Sequence, residues 1–203
     1  MTIVSRRILT PLPGQAAAAA QWAKRMAEVM ASHGAMVRVF RSVMGKDAGN
    51  LEILGRFANF TEGAKANAAI AADPKTQKLW QDNESSPVAT IQGPYVYRMV
   101  FGEASAQPVM MRRQYQVDRK NLKAALEMLP EAKAAIDKHT GMLAVIPSIA
   151  PDMDMLSISY YADSLEQMGQ NLDTYGMSEK FQAVVNKASQ YGTLTSSDAL
   201  IVI

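Results

Sequence analysis

The feature that most constrains this chain is an internal duplication. Arg6-Arg7 and Arg112-Arg113 lie 106 positions apart, and so do His33 and His139. Further on, the run FANFTEGAKAN from Phe57 aligns with YADSLEQMGQN from Tyr161 at a spacing of 104. That alignment brings Glu62 onto Glu166 and Asn67 onto Asn171. Self-similarity on this scale means that one structural unit is used twice.

Each copy reads β-α-β-β-α-β. In the first, residues 3–10, 35–44, 51–60 and 95–101 carry the β-branched and aromatic residues of strands. Residues 15–33 are rich in strong helix formers, with Trp22, Met26, Val29 and Met30 at helical spacing and Gly34 as terminator. The segment 61–83 reads as a helix interrupted at Asp73-Pro74. In the second copy, strands are expected at 109–117, 142–150, 155–162 and 198–203. Pro147 implies an edge or bulge position in its strand. Helices are expected at 121–139, broken by Pro130, and at 163–190, interrupted at Gly176. The units are then residues 1–103 and 108–203. The small-residue run Gly102–Pro108 between them reads as an exposed connection without a structured role.

Such a unit has both helices on one face of an antiparallel sheet and leaves the other face open. A second copy of the same sheet is the natural cover for an apolar open face. The fold class expected is therefore α+β: two ferredoxin-like repeats packed sheet to sheet. This element order resembles the dimeric α+β barrel superfamily, similar to its antibiotic-monooxygenase-like and NIPSNAP-like branches, here joined in tandem. The resemblance implies a barrel closed within one chain. It also implies a small-molecule binding protein or a cofactor-independent enzyme of monooxygenase or isomerase type, acting on a small polar or aromatic organic molecule. A non-catalytic oligomerisation module is the alternative, and a haem-binding protein ranks below it. Haem-degrading members of the superfamily use a histidine on the second helix and an asparagine on the first strand, and neither stands in those places here.

Composition removes several classes. There is no cysteine among the 203 residues, so disulfides, thiolate metal sites and thiol nucleophiles are excluded. The formal net charge is +2 and like-charged residues run no longer than pairs, which gives no footprint for nucleic acid. No apolar run is long enough for a membrane span, and a soluble, cytoplasmic protein is expected. Phosphate-binding glycine loops, zinc-protease motifs and nucleophile elbows are missing. No cofactor and no metal are expected. His33 and His139 read as cationic residues at helix C-termini, favoured there by the helix dipole.

The candidate ligand-binding residues are Arg7, Arg56, Arg98 and Tyr97. Six arginines fall on the expected strands of the first copy (Arg6, Arg7, Arg38, Arg41, Arg56, Arg98), with Glu52 the acidic strand residue beside them. Strand parity sends neighbouring arginines to opposite faces. An inward guanidinium cannot shed its charge and needs a partner. Glu52 suits one or two of them, and an anionic small molecule suits another through a bidentate contact. Aromatic residues cluster on the same strands, as an aromatic-lined cavity for a flat ligand would require. Homodimerisation through open strand edges is the partner expectation.

Overall fold

A computed structural model describes residues 1–136 and 138–203. Asp137, inside the helix expected at 121–139, lies outside the described residues. Among the described residues, eight strands form a closed antiparallel barrel. They are β1 (Ile3–Pro11), β2 (Met36–Met44), β3 (Leu51–Phe57), β4 (Ala89–Gly102), β5 (Val109–Gln116), β6 (Met142–Ile149), β7 (Met155–Ala162) and β8 (Thr193–Val202). Their order around the ring is β1-β3-β2-β8-β5-β7-β6-β4. Each half thus contributes the ferredoxin-like order, β4-β1-β3-β2 and β8-β5-β7-β6. The halves join through β2 with β8 and β4 with β6. The ring is closed in strand order, although residues 89–95 of β4 pair with β1 alone.

The helices cover the outside. In the first half α1 (Ala16–Ser32) runs unbroken, followed after β3 by α2 (Phe60–Ala72) and α3 (Pro74–Ser85). The break between α2 and α3 has a local cause. Asp73 caps α3, its side chain accepting from Lys75 N, and Pro74 occupies the first turn, where its missing N–H costs nothing. In the second half the place of α1 is taken by two short helices, α4 (Leu122–Glu127) and α5 (Leu129–Ala134), divided at Met128 ahead of Pro130. After β7 come α6 (Leu165–Asn171), a π-helical turn (Leu172–Gly176) and α7 (Glu179–Ala188), with Ser164 and Ser178 as N-caps.

Three features depart from the sequence reading. β4 and β8 begin earlier than expected, at Ala89 and Thr193, because polar stretches such as Thr193–Ser197 still pair with β5. The second-half helix stops at Ala134, so His139 lies exposed in the turn before β6 rather than on a helix end. And the linker is anchored: the Arg38 guanidinium donates to the carbonyls of Ser105, Ala106 and Gln107, and Gln107 Nε2 donates to Asp163. Pro147 does sit at an irregularity, opposite Tyr97 where the β4–β6 register shifts.

Three apolar layers result. One lies between α1–α3 and the first sheet, one between α4–α7 and the second sheet, and one inside the barrel around Phe40, Met110, Leu143 and Leu200.

Candidate functional site

Parity decides the fate of every strand arginine. On β1, Ile3 and Leu9 belong to the layer under the helices, which puts Ser5 and Arg7 there too, while Val4 and Arg6 face the barrel interior. Arg6 and Arg112 meet inside the barrel on Glu52. Arg6 Nε and Nη2 donate to Glu52 Oε2 and Oε1 at 3.0 and 2.6 Å. Arg112 Nη1 and Nη2 donate to the same two oxygens at 2.6 and 2.5 Å. Glu52 is fully buried (0%). Burial alone would raise its pKa, but the two guanidiniums outweigh burial and hold it at about 2. This partner for the inward arginines was legible in the sequence. Its second arginine, from the other half, was not.

The four expected ligand-binding residues do not share a face. Arg7 is buried beneath α1, where Nη1 meets the Met30 thioether at 3.5 Å, and desolvation lowers its pKa. Arg98 is on the same face, stacked over the Phe60 ring at 5.5 Å, with its Nε buried and unpartnered. Arg56 and Tyr97 flank Val4 on the inward side of the sheet, and Arg56 donates to the exposed Met36 sulfur. Sheet closure divides the group.

An apolar-walled cavity lies in the second half, between the sheet and the broken helices. Its larger lobe, about 150 Å³, is bounded by Tyr115, Val117, Met128, Leu129, Tyr160 and Phe181. A smaller lobe of about 40 Å³ lies on the other side of the shared Tyr160 and Phe181 walls, and is lined by Arg113, Thr140, Asn171 and Tyr175. Arg113, Tyr115 and Val117 are alternate residues along one strand direction, so the two lobes lie in line. The Arg113 guanidinium is 6.0 Å from the Phe181 ring centre and its Nε is buried without a partner. Arg113 also bonds the Tyr115 hydroxyl. Burial pushes the pKa of both Tyr115 and Tyr160 up, against the pull of Arg113. Both phenols are therefore neutral hydrogen-bonding groups at ordinary pH. Sequence reasoning passed over Arg113 because the first half carries more strand arginines. The available signal was its place in the repeat, equivalent to Arg7.

His33 is also engaged: its Nε2 lies 2.9 Å from Asp73 Oδ2 across the α2–α3 junction. That bond and the Lys75 backbone N–H hold the Asp73 carboxyl below the usual carboxylate range. No trio of His, Asp and Glu among the described residues is placed to hold a metal. No helix among them is long and apolar enough to cross a membrane.

The closed eight-stranded ring with helices outside defines the class: the chain has the dimeric α+β barrel fold, built from two repeats of one polypeptide. Solved structures sharing it include an anthrone oxidase-like protein, with a TM-score of 0.68 at 14% identity over 100% of this chain and 91% of that one. A monooxygenase-like protein from Listeria innocua matches with a TM-score of 0.54 at 11% identity, over 100% and 94% of the two chains. A chlorite dismutase variant from Candidatus Nitrospira defluvii, in complex with cyanide, matches with a TM-score of 0.56 at 10% identity, over 100% and 90%. At such identities the likeness is one of fold. No family model and no curated protein matches the sequence.

Haem is the cofactor that this fold brings to mind, and the cavity does not suit it. Among the described residues its lining has no imidazole or thiolate, and burial pushes Tyr115 and Tyr160 toward the protonated form, which is a poor iron ligand.

Proposed function

We propose that residues 1–103 and 108–203 are two copies of a duplicated unit, of which the second holds a small organic molecule beneath α4, α5 and α7. The ligand is flat and largely apolar, and carries one acidic or strongly accepting oxygen. A single observation carries this reading: an apolar cavity of about 150 Å³ shares its Tyr160 and Phe181 walls with a smaller pocket lined by the half-buried Arg113, whose buried Nε has no partner. Apolar walls with a few convergent polar groups are the usual makeup of a small-molecule site. An anionic oxygen beside Arg113 would be held by a charge-assisted hydrogen bond, with the neutral tyrosines as further donors.

The same donors would stabilise an enolate or phenolate. That is the anion a cofactor-independent monooxygenase or isomerase must hold in its transition state. Among the described residues the lining holds no carboxylate or imidazole.

The test is calorimetric titration with 1-naphthoate and with naphthalene. We expect naphthoate to bind, and R113M to weaken it about tenfold or more, as loss of a charged hydrogen bond should. R7M, the equivalent change in the first half, leaves affinity unchanged. Equal affinity in wild type and R113M would overturn the reading.

A further inference from the structure

Inside the barrel the repeat position of Glu52 carries no carboxylate in the second half. The registers of the two halves make this explicit. Glu52 pairs with Ile8 on β1, and Ser157 pairs with Gln114 on β5. Ile8 and Gln114 are two residues beyond Arg6 and Arg112 respectively. Ser157 is therefore the repeat mate of Glu52, as Arg112 is of Arg6. Glu52 bridges both arginines from one side. On the Ser157 side there is a chamber of about 40 Å³, bordered by Arg6, Arg112, Tyr97, Ser157, Ser159 and Tyr161.

Its polar lining consists mainly of donors. Arg112 is 4% exposed, and its Nε is buried with no partner. Arg6 uses only Nε and Nη2 on Glu52, so its Nη1 has no bond of its own there. Both Glu52 oxygens are occupied twice over. The nearby charges also favour an anion. Arg6, Arg112, Arg38 and Arg56 act on this region, the last two through Tyr161. Glu52 and Asp198 are the acids facing them. Asp198, buried on β8 opposite Arg112, accepts from the Asp47 N–H through Oδ1, and its Oδ2 is buried without a partner.

We propose that this chamber is a binding site for one small monovalent anion, halide- or formate-sized, between Arg6 and Arg112. It takes the place of the carboxylate that Ser157 lacks. The site is separate from the cavity under the helices and does not depend on its function. A fixed internal anion would set the separation of the two half-barrels.

The experiment uses the full chain in chloride-free buffer at constant ionic strength. Thermal unfolding is followed as sodium gluconate is replaced by sodium bromide or sodium formate, and bromide-soaked crystals are measured for anomalous scattering. We expect a saturable rise in Tm of about 3–5 °C at ten times the Kd, and a bromide peak in the chamber. S157E supplies the missing carboxylate and should remove both. S157V, which fills the space without charge, serves the same purpose should S157E not fold. A chamber containing only water, or equal bromide and gluconate responses in wild type, would overturn the proposal. So would a bromide-specific rise that persists in whichever of S157E and S157V folds.

Discussion

In the N-terminal half one 17-residue helix lays Trp22, Met26 and Met30 across the sheet, while in the C-terminal half the same position holds two six-residue helices divided ahead of Pro130. The first arrangement is packed. Met26 and Met30 are fully buried, and the Trp22 ring stands edge-on to Trp80 at 5.2 Å while its Nε1 donates to the Leu79 carbonyl. The second leaves the two-lobed cavity, with Met128 at its wall. Arg7 and Arg113 occupy equivalent strand positions in these two settings, one pressed against a thioether and the other beside open space. A continuous helix can place its apolar stripe in register with a sheet along its whole length. Two short helices at a proline cannot, and the mismatch becomes volume. The two halves thus differ in how their helices meet the sheet, and the open volume of the first half lies outside, in grooves of about 380 and 240 Å³ along α1 and α3.

The largest test concerns the inner face, where the halves differ as Glu52 against Ser157. Glu52→Ala leaves two buried guanidiniums without their acceptor and should cost about 3–5 kcal/mol in urea unfolding. The acid limb of stability should follow the same residue. Its folded-state pKa lies below the unfolded value, so its stabilisation is complete above about pH 4.5. It drains as pH falls toward about 2. The shift corresponds to roughly 3 kcal/mol, which the Ala variant should no longer lose on acidification.

A second test compares truncations in the two helix layers. Met26→Ala, in the packed half, should cost about 2–5 kcal/mol. Met128→Ala should cost about 1 kcal/mol or less, because its side chain already borders space. Equal penalties would mean that the second-half cavity collapses in solution.

Arg7→Met sharpens the contrast further. It replaces a buried charge that has no carboxylate partner, and should be neutral or raise stability by about 1–2 kcal/mol. A marked loss would show that Arg7 is held by more than the Met30 sulfur.

The smallest expected effect is spectroscopic. Burial holds Tyr115, Tyr160 and Tyr161 protonated, Tyr161 up to about 12. Raised folded-state values contribute stability below the unfolded pKa of about 10 and lose it as pH climbs past that point. Absorbance at about 295 nm should show these three of the seven tyrosines ionising only at higher pH than the rest, or on unfolding. Full ionisation of all seven at pH 11 in a folded sample would contradict their burial.

Element order, the three helix breaks and the pairing of Glu52 with inward arginines were all legible in the chain, because proline, glycine, capping residues and repeat spacing are local signals. What alternation could not supply was the direction of each face. On β1, Ile3 and Leu9 lie on one side and Val4 and Ile8 on the other, since helices cover one face and the opposite sheet covers the other. With both sides apolar, nothing in the pattern distinguishes Arg6 from Arg7. For that reason alternation could not show that Arg7 and Arg98 lie on the helix side of the sheet and Arg56 and Tyr97 on the barrel side.

The sequence alone determined a duplicated β-α-β-β-α-β chain without cysteine, whose exposed sheet faces had to cover one another. Only the tertiary structure decided that Arg6 and Arg112 share one carboxylate, and that an apolar cavity of about 150 Å³ lies under the second set of helices. Both outcomes depend on contacts between residues roughly fifty or more positions apart in the chain. Local propensity carries no record of contacts at that range.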